Sequence, residues 1–283
     1  MLPPIAGTIQ ELRAAVAEAR RAGKKIGFVP TMGALHAGHA SLLRASGVRC
    51  GFTVVSIFVN PTQFGPDEDL ARYPRTLDSD REICGAVGAD LLFVPTASEM
   101  YPHGFATSID VRGLGDHLCG RSRPGHFAGV ATIVAKLFNI VLPDVAFFGQ
   151  KDAQQARIIG QMADDLDFPI EIEVIPTVRE ADGLAMSSRN RYLDPAQRRH
   201  AIVLQRSLEA VGLMVASGER DAHALEKFLA EEVASTPGAK LDYARIVDGL
   251  TLQPIGSIDR PSLAALAVFF GTTRLIDNAV LTP

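Results

Sequence analysis

The sequence contains few cysteines, and they follow no pairing pattern. Cys50, Cys84 and Cys119 are odd in number, widely spaced and without a C-x-x-C. Disulfide frameworks use an even set of cysteines in small secreted chains, and zinc ribbons use closely spaced pairs. We therefore expect neither kind of site, and a reducing cytoplasm is the compartment that fits best.

Long hydrophobic runs are absent as well. The longest uninterrupted apolar run covers residues 263–270, whereas a helix that crosses a membrane needs roughly 20 apolar residues. The amino-terminal MLPPIAGTIQEL has neither the basic flank nor the apolar block of a signal peptide. These patterns predict a protein that is neither exported nor embedded in a membrane.

The chain also lacks an excess of positive charge and the two commonest nucleotide-binding motifs. Its 28 basic and 32 acidic residues give a net charge of -4, which argues against binding nucleic acid by bulk charge. It has no G-x-x-x-x-G-K-[ST] loop, and the Gly113-Leu114-Gly115 segment does not fit G-x-G-x-x-G. Any phosphate that this protein binds must therefore be contacted by a few local groups.

One stretch near the amino terminus, residues 25–46, reads KIGFVPTMGALHAGHASLLRAS. The apolar residues 26–29 predict a strand that Pro30 ends, and a leucine-rich helical pattern begins at Ala40. In such a strand, turn and helix, the first helical turn directs unpaired backbone N-H groups to the carboxyl edge of the sheet, together with the positive end of the helix dipole. The expected ligand is an anion.

Two histidines lie in this turn. His36 and His39 are three residues apart, so both imidazoles project from one face if the helix begins near His36. Gly38 between them leaves room for a flat ligand, and a nucleotide phosphate suits the arrangement. The alternatives are two surface or core histidines, or a zinc site that would need a third ligand.

The other predicted elements alternate between strands and helices before a smaller carboxyl-terminal part. Strands are predicted at residues 53–59, 91–94, 145–148 and 170–175, and helices after the Thr8 capping box, from Asp78 and at residues 127–142. Helices from Asp194 to about Ser217 and from Asp221, with strands at 241–247, 263–270 and 274–281, indicate a small α+β domain. We predict an α/β fold with a parallel sheet, divided into domains 1–177 and 178–283.

Polar side chains follow several predicted strands. Asn60 and Gln63 come after one strand, where the ligand crevice of an open α/β sheet lies, but Pro61 and Gly65 favour a turn there equally well. Lys151 follows another strand and a glycine, so it either reaches a phosphate or is an ordinary exposed lysine.

A second polar segment contains two hydroxyls beside a guanidinium. Ser187, Ser188 and Arg189 form either a phosphate clamp or part of a solvated linker. The acidic residues at 67–69 are predicted to be a solvated loop, because runs of charge are more often solvated than metal-binding.

The string PTMGALHAGH resembles the H-x-G-H signature of the nucleotidyltransferase superfamily, and further segments resemble one of its families. VVSIFVNPTQFGP, YPRT, HFAGV, FFGQKD, PTVREADGLAMSSRNRYL and TRLIDN are similar to segments of the pantothenate synthetase family, in the same order and over almost the whole chain. The resemblance implies condensation of (R)-pantoate with β-alanine through a pantoyl-adenylate intermediate, with release of AMP and pyrophosphate from ATP. It also implies a Rossmann-like ATP- and pantoate-binding domain with helices on both faces of its sheet, a smaller lid domain, Mg²⁺ and a homodimer.

The resemblance also assigns roles to residues at matching positions. The residues expected to act in catalysis are His36, His39, Lys151, Ser187, Ser188 and Arg189. Those expected to bind pantoate are Gln63, Gln155, Asn60, Met32, Val130 and Val134. Those expected to bind ATP are Pro30, Thr31, Met32, Gly33, His36, Gly38, His39, Gly149, Gln150, Lys151, Asp152, Pro176, Val178, Met186, Ser187, Ser188 and Arg189.

Asp80 is the magnesium ligand that the resemblance implies. Two positions depart from the family pattern. Ala153 stands where an aromatic residue is expected, and Ser79 stands where an acidic residue is sometimes found. The second departure leaves Asp80 as the only expected metal ligand.

The chemistry is consistent with these residue types. A carboxylate is a poor acyl donor, so its oxygen first attacks the α-phosphate, a step that depends on positioning and charge neutralisation and needs no protein nucleophile. The second step needs a neutral amine, supplied either by binding of that form or by a base such as histidine. The rival functions are a nucleotidyltransferase that keeps the nucleotide in its product, which would not need Gln63 and Gln155, and a non-catalytic nucleotide-binding or metal-binding regulator.

Overall fold

The computed structural model describes residues 1–66 and 68–283. The chain forms two compact units, the first made of Met1–Val111, Arg123–Gly149 and Ile158–Pro176 and the second of Arg112–Ser122, Gln150–Arg157 and Thr177–Pro283. Asp67 lies outside the described residues. It is the first residue of the acidic segment 67–69, which the sequence predicts to be a loop.

The first unit is built on a parallel sheet. Its strands, within the described residues, are β1 (Ile5–Ala6), β2 (Ile26–Thr31), β3 (Phe52–Ile57), β4 (Leu91–Phe93), β5 (Val145–Gly149) and β6 (Glu171–Ile175). They lie in the order β1-β4-β3-β2-β5-β6, and every neighbouring pair is parallel. The prediction of a parallel α/β sheet is confirmed.

Helices alternate with these strands along the chain. They are α1 (Ile9–Arg21), α2 (Ala37–Arg49), α3 (Leu77–Ala86), α4 (Ala97–Met100), α5 (Cys119–Ser122), α6 (His126–Val141) and α7 (Ala153–Asp165). The capping box that the sequence predicts for α1 is present, because Thr8 Oγ1 accepts from Glu11 N at 3.2 Å and the Glu11 carboxylate accepts from Thr8 N at 3.1 Å.

Strand β2 continues past Pro30, although the sequence predicts that Pro30 ends it. Proline has no N-H to donate, so it is tolerated where one side of a strand has no ladder bond to make. The pairing of β2 with β5 covers Gly27 and Phe28, whereas its pairing with β3 extends to Thr31. Strand β2 therefore extends to Thr31, directly before the turn that follows.

The order of the strands reverses between β2 and β5. From β2 the chain builds β3 and β4 on one side, and then β5 and β6 on the other. In open α/β sheets, ligands bind outside the carboxyl ends of the strands at such a switch point. A ligand site is therefore expected at the residues that follow β2 and β5.

Helices cover both faces of the sheet. On one face, the ring of Phe138 in α6 meets Phe28, Phe148 and Phe168 edge-on, at centroid distances of 6.4, 6.5 and 5.7 Å. On the other face, buried residues of α2 and α3 pack against Val29, which follows Phe28 in β2. Successive strand residues point to opposite faces, so this packing follows directly from the continuous apolar runs.

The second unit is an α+β structure. Its strands β7 (Ala239–Asp248), β8 (Ser262–Phe270) and β9 (Thr273–Leu281) form an antiparallel sheet, and its helices include α8 (Pro195–His200), α9 (Val203–Ala216) and α10 (Ala222–Ala234). The sequence predicts one helix where α8 and α9 stand. Leu204 N donates to Ala201 O, an i to i+3 bond that tightens the backbone between them.

No helix in the described residues is long and apolar enough to span a bilayer. The three cysteines are buried and free.

Gly129 is the point where α6 meets the turn after β3. A Cβ on Gly129 would stand 2.4 Å from Thr62 O and 2.8 Å from Gln63 N, which is far inside van der Waals contact. Both neighbours are backbone atoms, so they cannot rotate away as a side chain does. Glycine is therefore required here for close approach and not for an unusual dihedral angle.

Gly129→Ala should lower the free energy of unfolding by about 1 to 3 kcal/mol, the usual cost of overpacking a buried contact. The matched control is Gly212→Ala in α9, where a Cβ would meet nothing within 4 Å. That change should stabilise the protein by roughly 0.5 to 1 kcal/mol, because alanine is the better helix former. Denaturant melts of both variants measure the difference, and equal effects would contradict the close contact.

Candidate active site

A buried carboxylate holds the turn that follows β2. Gly33 and Ala34 have φ angles of 84° and 52°, and successive N-H groups in such a turn form a concave site for an anion. Asp80 of α3 supplies that anion, since its Oδ2 accepts from Ala34 N at 3.0 Å and its Oδ1 from Leu35 N at 2.7 Å. Thr76 Oγ1 also donates to Asp80 Oδ1, at 3.2 Å. The chain's own carboxylate thus fixes the turn that leads to the histidines.

His36 and His39 cap α2 reciprocally. His36 Nδ1 accepts from Gly38 N at 3.1 Å, and His39 Nδ1 accepts from His36 N at 3.3 Å. A ring nitrogen that accepts a hydrogen bond carries no proton, so the proton of each neutral ring is on Nε2. The ring centroids lie 4.1 Å apart. The fold therefore brings the two imidazoles together and sets the same tautomer in both.

The sequence predicts that backbone N-H groups at the start of α2 bind an anion, and that expectation stays a prediction. In and just before the first turn of α2, the N-H groups of Ala34, Leu35, His36 and Gly38 donate to side chains of this protein. These bonds fix the turn that carries the two imidazoles. Its backbone serves to orient them.

Asp80 is also the residue that the family resemblance implies as the magnesium ligand. Mg²⁺ keeps several waters and takes accessible oxygen ligands, whereas Asp80 is 1% exposed and both of its oxygens accept hydrogen bonds from the protein. Among the residues that the structure describes, no group of three or more His, Cys, Asp or Glu could hold a metal ion. The structure thus shows Asp80 as a support of the turn, and its role as a magnesium ligand stays a prediction.

Asn60 and Gln63 come together after β3. Asn60 Nδ2 donates to Gln63 Oε1 at 3.1 Å and to Gly129 O at 3.2 Å. Gln63 Nε2 lies 3.1 Å from the sulfur of Met32, in the turn after β2. The turn and the crevice interpretations of Asn60 are thus compatible, because Asn60 caps the 3₁₀ turn Pro61–Gln63 that carries Gln63.

Other predicted site residues of the first unit lie on α6 and at the ends of β2, β5 and β6. Val130 and Val134 are four residues apart on α6, which puts them on one face, and both are buried. Thr31 Oγ1 donates to Ser56 O at 2.7 Å and accepts from Gly33 N at 3.2 Å. Gly149 pairs with Ile175, the residue before Pro176, so the ends of β5 and β6 are adjacent.

Lys151 of the second unit lies in the 3₁₀ turn Gln150–Asp152, with its ammonium 3.5 Å from the Asp152 carboxylate. The backbone of this turn is held by Asn278 of β9, whose Nδ2 donates to Gln150 O at 2.9 Å and to Lys151 O at 3.0 Å. Gln150 Nε2 donates in return to Asn278 Oδ1 at 2.9 Å. Sequence reasoning assigned no role to Asn278, and only its place in TRLIDN pointed to it.

Ser187, Ser188 and Arg189 begin another 3₁₀ turn of the second unit, Ser188–Tyr192. Ser187 Oγ accepts from Arg189 N at 3.2 Å. Met186 N donates to Val178 O at 3.0 Å, which brings these two predicted ATP-binding residues together.

Neighbouring glutamines on α7 have different environments. Gln154 is buried, and its amide bonds to Cys119 N, Leu114 O and His117 O at 2.7 to 3.0 Å. Gln155 is half-buried on the adjacent face of the helix. The amide of Gln154 is therefore occupied by backbone groups, and the role of Gln155 in binding pantoate stays a prediction.

Comparison with known proteins identifies the family. The sequence profile described as Pantoate-beta-alanine ligase matches residues 4–280. A pantothenate synthetase of Pelotomaculum thermopropionicum is 57% identical over 277 residues, which are 98% of each chain. The chain belongs to the pantoate-β-alanine ligase family. It is a ligase that forms pantothenate, and the family match sets aside both rival functions.

Solved structures of this family have the same fold. The pantothenate synthetase of Thermus thermophilus superposes with a TM-score of 0.94 at 44% identity and covers 99% of this chain and 100% of its own. The pantoate-beta-alanine ligase of Francisella tularensis, complexed with beta-gamma ATP and beta-alanine, gives 0.82 at 34% identity, with 98% and 97% covered.

Asp80→Asn should slow pantothenate formation by about 10- to 100-fold, because an amide offers one acceptor where the turn presents two N-H donors, and a lost charged partner costs about 1.5 to 3 kcal/mol. The Mg²⁺ concentration for half-maximal rate should not change. Asp78→Asn, an exposed carboxylate in the same first turn of α3, is the control for charge and should stay near wild type. Rescue of Asp80→Asn by high Mg²⁺ would show instead that Asp80 binds the metal.

Proposed function

We propose that this ligase activates pantoate as an adenylate. A carboxylate oxygen of pantoate attacks the α-phosphorus of ATP, and the bond from that phosphorus to the bridging oxygen breaks, so pyrophosphate leaves with the electron pair. The neutral amine of β-alanine then attacks the acyl carbon, the bond to AMP breaks, and the nitrogen loses a proton to give pantothenate. The observation that carries this proposal is the pair of imidazoles after β2, each of which accepts a backbone hydrogen bond at Nδ1.

The first step is limited by charge. The attacking carboxylate is negative, and negative charge moves onto the leaving pyrophosphate in the transition state, so fixed donors and cations lower the barrier. We assign this task to His36 and His39 of the first unit and to Lys151, Ser187, Ser188 and Arg189 of the second. ATP itself is supported by the ligand of the Francisella relative.

The remaining predicted residues would shape the substrate sites. We assign Gln63, Gln155 and Asn60 to the polar groups of pantoate, and Met32, Val130 and Val134 to its apolar ones. The residues proposed to contact the rest of ATP are Pro30, Thr31, Gly33, Gly38, Gly149, Gln150, Asp152, Pro176, Val178 and Met186. We further propose that residues 178–283 act as a lid over domain 1–177.

Mg²⁺ is proposed to enter as part of the ATP substrate, held by its phosphates. This accords with the occupied oxygens of Asp80 and with the usual way in which Mg²⁺ binds nucleotides. A homodimer in a reducing cytoplasm is proposed from the family resemblance and the three free cysteines. Light scattering that gives a 30.3 kDa particle at micromolar concentration would contradict the dimer.

Rapid-quench measurements with excess enzyme test the adenylate route. Pantoate, ATP and Mg²⁺ without β-alanine should release one pyrophosphate per site, and pantoate labelled with ¹⁸O in its carboxylate should pass one labelled oxygen to AMP when β-alanine is then added. Formation of ADP, or no pyrophosphate before β-alanine is added, would contradict this route.

Replacement of the histidines tests their role in the same assay. His36→Ala or His39→Ala should slow the pyrophosphate burst by about 10²- to 10³-fold, the usual cost of one donor to developing charge. His223→Ala, an exposed histidine of α10, should keep the wild-type rate. A normal burst in folded variants of both histidines would place them outside the reacting groups.

A further inference from the structure

Tyr101 lies at the end of a chain of hydrogen bonds that reaches Gln63. Its hydroxyl donates to Asn60 Oδ1 at 2.7 Å, and Asn60 Nδ2 donates in turn to Gln63 Oε1 at 3.1 Å. Tyr101 is half-buried and follows α4, in the polar segment after β4 to which the sequence assigns no element. None of the expected site residues lies in that segment.

The direction of this chain is fixed at Asn60. Its carbonyl oxygen faces three donors, Tyr101 Oη at 2.7 Å, Thr62 Oγ1 at 3.0 Å and Thr62 N at 3.4 Å, whereas its amide nitrogen faces two carbonyl oxygens. A flipped Asn60 amide would set donors against donors and acceptors against acceptors. Asn60 is 1% exposed, so water cannot compensate for such mismatches.

The polarity of Gln63 follows from that of Asn60. Because Gln63 Oε1 accepts from Asn60, the amide group that remains for a ligand is Nε2-H, beside the sulfur of Met32. Thioether sulfur is a weak acceptor, so a carboxylate or hydroxyl oxygen would be a better partner. The side chain is thereby set as a donor, although a free amide could serve as either donor or acceptor.

Several contacts hold Tyr101 in place. Its ring meets Phe105 edge-on at 5.0 Å and Phe58 at 6.3 Å between centroids. The ammonium of Lys136 lies 4.8 Å from the Phe105 ring and donates to the carbonyl of Met100, next to Tyr101. Burial raises the pKa of Tyr101, so its hydroxyl keeps the proton that it donates.

We propose that Tyr101 is a positioning residue that acts through Asn60 to present the Nε2-H of Gln63 to an oxygen of pantoate. The inference rests on the proposed role of Gln63 in binding pantoate. It adds two points to that role. Gln63 is the hydrogen-bond donor in the contact, and Tyr101 orients this donor from outside the substrate site. A hydroxyl or carboxylate oxygen is recognised by such a donor, whereas a substrate that presents only a donor at this position is rejected.

A double-mutant cycle, with KM for pantoate as the measured quantity, tests the chain of hydrogen bonds from Tyr101 to Gln63. Tyr101→Phe removes one hydroxyl and should raise KM for pantoate about 3- to 10-fold while KM for ATP stays unchanged, since a neutral hydrogen bond contributes about 0.5 to 1.5 kcal/mol. In a Gln63→Ala background the same change should have less than about a 2-fold effect, because residues that act through one another are not additive. In a Gln155→Ala background it should keep its full effect. Tyr243→Phe, at a half-buried tyrosine whose hydroxyl lies near Cys119, is the matched control and should leave KM for pantoate unchanged.

Gln63→Glu tests the polarity. It replaces the donor with a negatively charged acceptor of nearly the same shape, so KM for pantoate should rise more than in Gln63→Ala. A KM for Gln63→Glu near that of wild type would overturn the donor assignment.

The outcomes separate this proposal from the proposed function. If Gln63→Ala leaves KM for pantoate unchanged, Gln63 does not bind pantoate and the proposed function of that residue fails. If Gln63→Ala raises KM but Tyr101→Phe has no effect, or multiplies it fully in the Gln63→Ala background, Gln63 binds pantoate without Tyr101 and the positioning proposal is overturned.

Discussion

The architecture of the site depends on one requirement, that the backbone N-H groups between β2 and α2 find acceptors inside the protein. Asp80 satisfies two of them and the two histidine rings satisfy two more. The left-handed conformation of Ala34 costs roughly 1 to 2 kcal/mol, whereas a hydrogen bond to a charged group contributes about 1.5 to 3 kcal/mol. The two bonds from Asp80 therefore outweigh the strain, and the turn stays in a conformation that the backbone alone would avoid.

The same principle recurs wherever the predicted chemistry needs a defined donor or acceptor. The capping bonds at His36 and His39 leave their protons on Nε2, and the three donors around Asn60 make Gln63 a donor. Asn278 holds the backbone of the turn that carries Lys151. In each case a neighbouring group fixes either a polar side chain or the backbone that carries it, so these groups are oriented before any substrate binds.

Local signals in the sequence predicted much of this structure. The Thr8 capping box, the apolar strands and the glycine-bracketed histidines depend on residues within a few positions of one another, so their elements lie close to where the sequence places them. The 3₁₀ turn at Asn60 was also readable from Pro61. The family segments supplied the roles that no local pattern could give.

The sequence did not reveal contacts between distant segments. Asp80 reaches a turn 46 and 45 residues earlier, and Asn278 reaches one 128 and 127 residues earlier. Tyr101 was hidden in a polar stretch because its role comes from a bond to Asn60, 41 residues away. Asp80 shows this most clearly, since only the family resemblance gave it a role in the sequence, whereas in the structure its carboxylate accepts hydrogen bonds from the turn after β2.

Histidine-selective ¹⁵N NMR of the free enzyme above neutral pH tests this account most directly. Long-range ¹H-¹⁵N correlations, assigned with single substitutions of His36 and His39, report which ring nitrogen carries the proton. The capping bonds predict that both neutral rings are protonated on Nε2 and unprotonated on Nδ1. A proton on Nδ1 of either ring would show that the backbone does not fix these donors, and the account of how the fold prepares the site would be wrong.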